Sequence, residues 1–112
     1  MPYVEVQTNE SVEDEEKFLQ KLSAEMSVRL GKPESYIMTA LQPEVKMTFA
    51  GSTETTAFIS LKSIGLDQSI TGELSEFICG FVEEELGIEQ DRIYIDFANS
   101  SGAMWGWDGG TF

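Results

Sequence analysis

Two stretches decide how this sequence divides: LGKPESYI at residues 30–37 and LGIEQDRIYI at residues 86–95. Each begins with a Leu-Gly pair that ends an amphipathic segment, and each reaches a Tyr-Ile pair soon afterwards. The two glycines, Gly31 and Gly87, lie 56 residues apart in a chain of 112 residues. Glycine directly after a helical apolar pattern is a helix stop signal. The sequence therefore predicts two repeated units, about 1–56 and 57–112.

The first unit predicts a strand, a helix and a further strand. Tyr3 to Val6 alternate between polar and apolar residues behind Pro2, as in a short strand. Ser11 and Asp14 are typical of a capping box. Apolar residues then recur at helical spacing as Phe18, Leu19, Leu22, Met26 and Leu30. Strand segments are expected at 36–41 and 46–50, with a loop at 51–55.

The second unit repeats this order. We expect a strand at 56–62, a loop at 63–67, a helix ending at Gly87 and a strand at 92–98. In that last strand Ile93, Ile95 and Phe97 can face the helices, whereas Tyr94 and Asp96 face the other side. The sequence thus predicts one α+β domain over residues 1–112, with order βαββαβ and two helices on one face of a four-stranded sheet. The alternative is that two unrelated α/β units share a stop glycine by chance.

Charge and composition exclude several classes of function. Seven Lys and Arg against twenty Asp and Glu give a net charge of -13, which argues against nucleic acid and against an anionic membrane surface as partners. The chain has no histidine and a single cysteine, Cys79. Ser-His-Asp and Cys-His catalysis and His- or Cys-based metal sites are therefore excluded. A catalytic base would have to be Asp, Glu, Lys, Tyr or the terminal amine.

The amino-terminal residues MPYVEVQTNE carry no pattern of a signal peptide, since Glu5 and Gln7 interrupt the apolar residues. A cytoplasmic location is the expectation, with secretion by a route that needs no signal peptide as the alternative.

Large aromatic residues outnumber what one layer of helices needs to cover the sheet. These are Phe49, Phe58, Trp105, Trp107 and Phe112. Their number favours burial between subunits, and the alternative is a tail that folds back on its own domain.

Five features together resemble the macrophage migration inhibitory factor family of the tautomerase superfamily. They are Pro2 directly after Met1, GKPESYI at 31–37, SLKSIG at 60–65, DRIYI at 91–95 and GWDGGTF at 106–112. The resemblance covers the whole chain and implies a homotrimer with active sites between neighbouring subunits and no cofactor or metal. It also implies keto–enol tautomerisation of aryl pyruvates such as phenylpyruvate, with dopachrome-type compounds as further substrates.

The resemblance assigns roles to individual residues. Pro2, freed by removal of Met1, would be the general base, and Lys32 and the backbone amide of Ile64 would bind the substrate carboxylate. Tyr94 would reach a neighbouring subunit's site. The aromatic walls would be Tyr36, Trp107 and Phe112. An α-amine with an ordinary pKa of about 8 becomes a better base near neutral pH when burial and a lysine lower that value.

Asp96 and Lys62 depart from the family pattern. Asp96 stands where animal members usually carry asparagine, and Lys62 replaces a histidine. A carboxylate at the site would stabilise the protonated proline and repel an anionic substrate, so we expect a slower tautomerase. The alternative function is a signalling or interaction protein, with receptor binding and only a vestigial site.

Overall fold

The computed structural model describes residues 1–112 and contains two helices and a four-stranded sheet. The main elements are β1 (Tyr3–Thr8), α1 (Glu15–Leu30), β2 (Met38–Gln42), β3 (Ala57–Ile64), α2 (Thr71–Leu86) and β4 (Ile93–Ser100). A small hairpin near the carboxyl end consists of β5 (Gly106–Trp107) and β6 (Gly110–Thr111). The predicted α+β order is confirmed. Neither helix is long and apolar enough to cross a membrane.

The sheet has the strand order β2-β1-β3-β4. The central strands β1 and β3 are antiparallel, and each pairs in parallel with the outer strand of its own unit. Alternate residues of the central strands are fully buried, among them Val4, Val6, Ile59 and Leu61. They pack with Leu22, Met26, Ile78 and Val82 of the helices. One face of the sheet is therefore the core, and the other face is left without a helix layer.

Helix α1 begins one residue after Asp14, whose Oδ1 accepts the Lys17 backbone N–H at 3.0 Å. The predicted capping box at Ser11 is wrong in its first residue, because Asp14 itself is the N-cap. The helix ends at Gly31, which has a φ of 63° and whose N–H bonds back to the last turn. Glycine adopts this left-handed conformation without a steric penalty.

The repeat is visible in the structure as a shift of 56 residues. Helices α1 and α2 have equal lengths at that spacing, and each is followed by a 3₁₀ turn, at Glu34–Tyr36 and Gln90–Arg92. Tyr36 is therefore equivalent to Arg92. The two Tyr-Ile pairs of the sequence are not equivalent, because Tyr36 precedes β2 whereas Tyr94 lies inside β4.

The strand expected at 36–41 begins two residues later, at Met38, because Tyr36 lies in the 3₁₀ turn, and two further expectations are wrong. Residues 46–50 form no strand and make only an isolated bridge between Phe49 and Ser52, because Ala50 turns the chain with a positive φ of 53°. Strand β3 extends through Ser63 and Ile64, which were expected in a loop. The pairing of Ile64 with Ser100 on β4 continues the ladder through both residues.

Candidate active site

A cleft of about 500 Å³ lies where β1 and β2 begin, against the sheet face without helices. We call it the terminal cleft. Its lining consists of Met1, Tyr3, Ser35, Tyr36, Ile37, Met38, Lys62, Trp105, Gly106, Trp107 and Phe112. Both ends of the described chain and the 3₁₀ turn before β2 therefore meet at one place.

Three aromatic rings form one wall of the terminal cleft. The rings of Trp107 and Phe112 stack at 5.5 Å, and Tyr36 meets both edge-on at 6.0 and 6.2 Å. These are the three residues that the sequence predicted as aromatic walls, and the structure brings them together. Such a wall offers stacking and edge contacts to an aryl ring.

The wall is held by the way the tail folds back. The Phe112 backbone N–H donates to the carbonyl of Gly102 at 3.1 Å and to that of Trp105 at 3.3 Å. A Cβ at Gly102 would lie 2.6 Å from the Phe112 carbonyl oxygen, so only glycine permits this approach. The tail thus packs on its own chain, although Trp107 keeps 57% of its surface exposed.

Pro2 fixes the beginning of the chain beside this cleft. Its side chain is fully buried, and its carbonyl accepts the Met38 N–H at 3.0 Å. Burial, and then the charge of Lys32, lower the pKa of the Met1 α-amine below its ordinary value. The beginning of the chain is therefore an environment that disfavours a protonated amine.

Lys32 and Ile64 also come together near the beginning of the chain. The Lys32 Nζ donates to the Ile64 carbonyl at 3.3 Å, and the Lys32 backbone N–H donates to the Ser27 carbonyl. Tyr3 pairs with Lys62 across the two central strands. Continuing that antiparallel register places Ile64 level with Met1. Pro2, Lys32, Ile64, Tyr36, Trp107 and Phe112 thus share one end of the sheet.

Tyr94 and Asp96 lie elsewhere in the chain. Tyr94 borders a second cleft of about 450 Å³, which we call the internal cleft. Its lining consists of Gln7, Met47, Thr48, Phe49, Ala50, Thr56, Ala57, Phe58 and Tyr94. The rings of Tyr94 and Phe49 lie 4.7 Å apart, and Asp96 is exposed two residues further along β4. One chain alone does not bring these two residues to Pro2.

Arg92 orders the loop beside the internal cleft, a role that the sequence did not predict. Its guanidinium donates to the backbone carbonyls of Thr55, Phe49, Ser52 and Glu54 at 2.8 to 3.2 Å. No local pattern announces such a contact, because the partners lie 37 to 43 residues away. The loop is thereby held in one conformation.

Lys62, Tyr3 and Met38 line the terminal cleft but were not predicted as site residues. Sequence reasoning noted Lys62 only as a departure from a family pattern. To place Lys62 in the cleft, one needs the register of β1 against β3, which sets Lys62 opposite Tyr3. No group of three or more acidic or cysteine side chains is arranged to hold a metal ion.

The fold and the terminal cleft define a MIF-like protein of the tautomerase superfamily. The family model described as macrophage migration inhibitory factor (MIF) matches residues 1–112. The chain belongs to the macrophage migration inhibitory factor family. Tautomerase activity is known for this family in general, and its members are small homo-oligomers with sites between subunits.

Relatives of known name agree with this assignment. The chain is 36% identical to rat macrophage migration inhibitory factor over 98 residues, covering 87% of this chain and 85% of that protein. It is 35% identical to the homologue of Trichinella spiralis over 114 residues, with full coverage of both chains. The crystal structure of the homologue from Prochlorococcus marinus matches with a TM-score of 0.94 and 48% identity, covering 98% of each chain.

Proposed function

We propose that this protein is a keto–enol tautomerase of aryl pyruvates, with the amine of Pro2 as general base after removal of Met1. The observation that carries the proposal is an aromatic-walled cleft at the very beginning of the chain, beside a lysine. A free amine, a cation and an aromatic wall are the groups that this reaction needs.

The reaction moves one proton from carbon to oxygen. The lone pair of the Pro2 nitrogen removes a proton from the carbon between the aryl ring and the keto group, and the electron pair of the broken C–H bond forms the enolate. The protonated Pro2 amine then gives that proton to the enolate oxygen, which yields the enol and restores the free amine; the reverse steps return the keto form.

The surrounding residues hold the substrate in place for this transfer. The Lys32 ammonium and the Ile64 amide bind the carboxylate of the pyruvate, while Tyr36, Trp107 and Phe112 contact the aryl ring. Burial and the charge of Lys32 lower the pKa of the Met1 α-amine, and we expect the same two causes to increase the fraction of free base of the Pro2 amine once Met1 is removed.

The active protein is proposed to be a homotrimer. Tyr94 lies outside the terminal cleft of its own chain and keeps 63% of its surface exposed. In an assembly with sites between subunits, an exposed aromatic residue on the outer sheet face is available to a neighbouring site. Asp96 lies two residues away on the same face and would accompany Tyr94. Its carboxylate disfavours an anionic substrate, which supports a slow enzyme.

The test combines intact mass with a phenylpyruvate tautomerase assay on one purified sample. We expect a mass without Met1 and measurable turnover. Pro2→Gly should remove turnover, since it changes the amine and its constrained geometry, whereas the matched change Pro43→Gly in the loop after β2 should retain it. A sample that has lost Met1 and shows no turnover contradicts the proposal and favours the interaction role.

A further inference from the structure

Lys62 is the single charged side chain among the residues that line the terminal cleft. It projects from β3 on the sheet face without helices, directly opposite Tyr3. The only salt bridge of the structure joins Lys21 and Glu85, so the Lys62 ammonium has no carboxylate partner. An unpaired cation therefore stands in a cleft with a largely aromatic and apolar lining.

The charge of the whole chain makes this cation unusual. Twenty acidic residues face seven basic ones. Glu5 and Asp96 are the acidic residues on the same sheet face nearest to Lys62, both level with Ser60. Glu5 is occupied by hydrogen bonds from the Tyr3 hydroxyl at 3.1 Å and from Gln42 at 3.0 Å. Within one chain, Lys62 thus has no carboxylate partner although the protein is strongly anionic.

Lys62 lines the terminal cleft, whereas Lys32 is not among the residues that line it. The Lys32 Nζ lies at the Ile64 carbonyl, level with the first residue of the chain. Lys62 precedes Ile64 by two residues on the same strand, a spacing of about 7 Å along β3. An anion held by Lys32 at Ile64 therefore leaves Lys62, two residues away on β3, available to a second anionic group.

We propose that Lys62 binds a second anionic group of the substrate, so that the preferred substrates are aryl 2-keto acids whose ring carries a carboxylate or a similar anion. The inference rests on the proposed function, in which Lys32 holds the pyruvate carboxylate. The aromatic wall then contacts the ring between the two cations. Lys62 is a specificity-determining residue in this scheme, while proton transfer stays with Pro2.

Binding can be measured without turnover, because both tryptophans of the chain, Trp105 and Trp107, line the terminal cleft. Quenching of their fluorescence would follow three probes: 3-phenylpropionate, with one carboxylate, and its 3-carboxy and 4-carboxy ring derivatives, with two. We expect at least one dianion to bind the unaltered protein about fivefold more tightly than the monoanion, as an ion pair at a partly exposed site allows.

Three variants locate the effect. Lys62→Met should abolish the preference for the dianion, and Lys62→Arg should retain most of it, because the charge is kept. Lys17→Met makes the same change of net charge on the exposed surface of α1 and should leave the preference unchanged. Added salt should reduce the preference of the unaltered protein, since it screens a partly exposed ion pair.

Two results would overturn the inference: no preference for either dianion in the unaltered protein, or an equal loss of affinity for all three probes in Lys62→Met. Parallel turnover of phenylpyruvate and its ring-carboxylated derivatives separates this failure from that of the proposed function. Phenylpyruvate turnover without a dianion preference defeats only the role of Lys62. A dianion preference without any turnover defeats only the tautomerase assignment.

Discussion

The terminal and internal clefts are built from equivalent positions of the two repeated units. Tyr3 pairs with Met38 at one cleft, and Phe58 pairs with Tyr94 at the other, where Tyr94 lies 56 residues after Met38. Across the central strands Lys62 faces Tyr3 and Gln7 faces Phe58. By strand pairing, buried Pro2 and Ala57 stand at the same place in the two units, 55 residues apart on the central strands against 56 for the helices. The two clefts differ in the backbone nitrogen that lies beside them. With Met1 removed, as proposed above, Pro2 would carry a free amine at the terminal cleft, whereas the Ala57 nitrogen belongs to a peptide bond and is no base.

Tyr36 and Arg92, which the repeat makes equivalent, also have opposite structural roles. The Tyr36 ring contacts Trp107 and Phe112 edge-on, and the three rings border the open terminal cleft. Arg92, its counterpart, fills its surroundings with hydrogen bonds to four carbonyls of one loop. One fold thus supports an open cleft at one end of the sheet and a loop fixed by hydrogen bonds at the other.

Retention of Met1 should have the largest effect on turnover. The terminal cleft would then have a peptide nitrogen at Pro2, as the internal cleft has at Ala57. The Pro2 nitrogen becomes an amide, and the free amine moves by about 3.8 Å, one residue along the chain. We expect phenylpyruvate turnover to fall by about 100-fold or more, the usual contribution of a positioned base. A synthetic chain with Met1 would be assayed beside the same chain without it. Equal rates would contradict the role of Pro2.

Arg92→Ala should break the internal cleft. The variant loses four charge-assisted hydrogen bonds and leaves several carbonyls without their donor, so the free energy of unfolding should fall by about 2–3 kcal/mol. Urea unfolding measures this loss. The equivalent variant Tyr36→Ala should cost about 1 kcal/mol or less, since Tyr36 is exposed at the cleft. Similar losses for both variants would contradict the division of tasks.

Lys32→Met should shift the pH dependence of phenylpyruvate turnover. The charge of Lys32 is the second cause, after burial, of the lowered pKa of the Met1 α-amine, and we expect it to act in the same way on the amine of Pro2 once Met1 is removed. Without that charge the protonated amine is less disfavoured, so its pKa should rise while staying below the ordinary value. The acidic limb of the kcat/KM profile should then move to higher pH. Labelling of the α-amine as a function of pH checks the shift without turnover, and an unchanged profile would exclude the effect of Lys32.

Asp96→Asn should give the smallest effect. In the proposed trimer Asp96 reaches the terminal cleft of a neighbouring subunit, so the effect depends on assembly. Asp96 is exposed on β4 beyond the internal cleft, at a position equivalent to Ala40 in the first unit. Removing its charge should raise kcat/KM for phenylpyruvate about two- to fivefold, the range of a partly screened charge interaction. The matched variant Asp91→Asn, in the turn before β4, should have no such effect. An unchanged or lower rate with Asp96→Asn would contradict its proposed position.

The elements, and the three aromatic residues Tyr36, Trp107 and Phe112 of the terminal cleft, were predictable from the sequence because they follow from local patterns or from a family resemblance. Helical spacing up to Leu30 and the stop at Gly31 needed no distant contact. The strand predicted at 46–50 is absent because Ala50 turns the chain and Arg92, far along the sequence, binds the carbonyl of Phe49. Lys62 was not recognised as a cleft residue because its position depends on the pairing of β1 with β3. Long-range register is not encoded in local periodicity.

Both ends of the described chain, Met1 and Phe112, line the same cleft. A short linker could join them, and the chain could be opened instead before Ala57, where the second unit begins. Such a circular permutant, with proline in place of Ala57, would carry its secondary amine at the internal cleft and an ordinary peptide bond at the old one. Because of the repeat, circular permutation moves the chain terminus from one cleft to the other and keeps the order of strands and helices around the sheet.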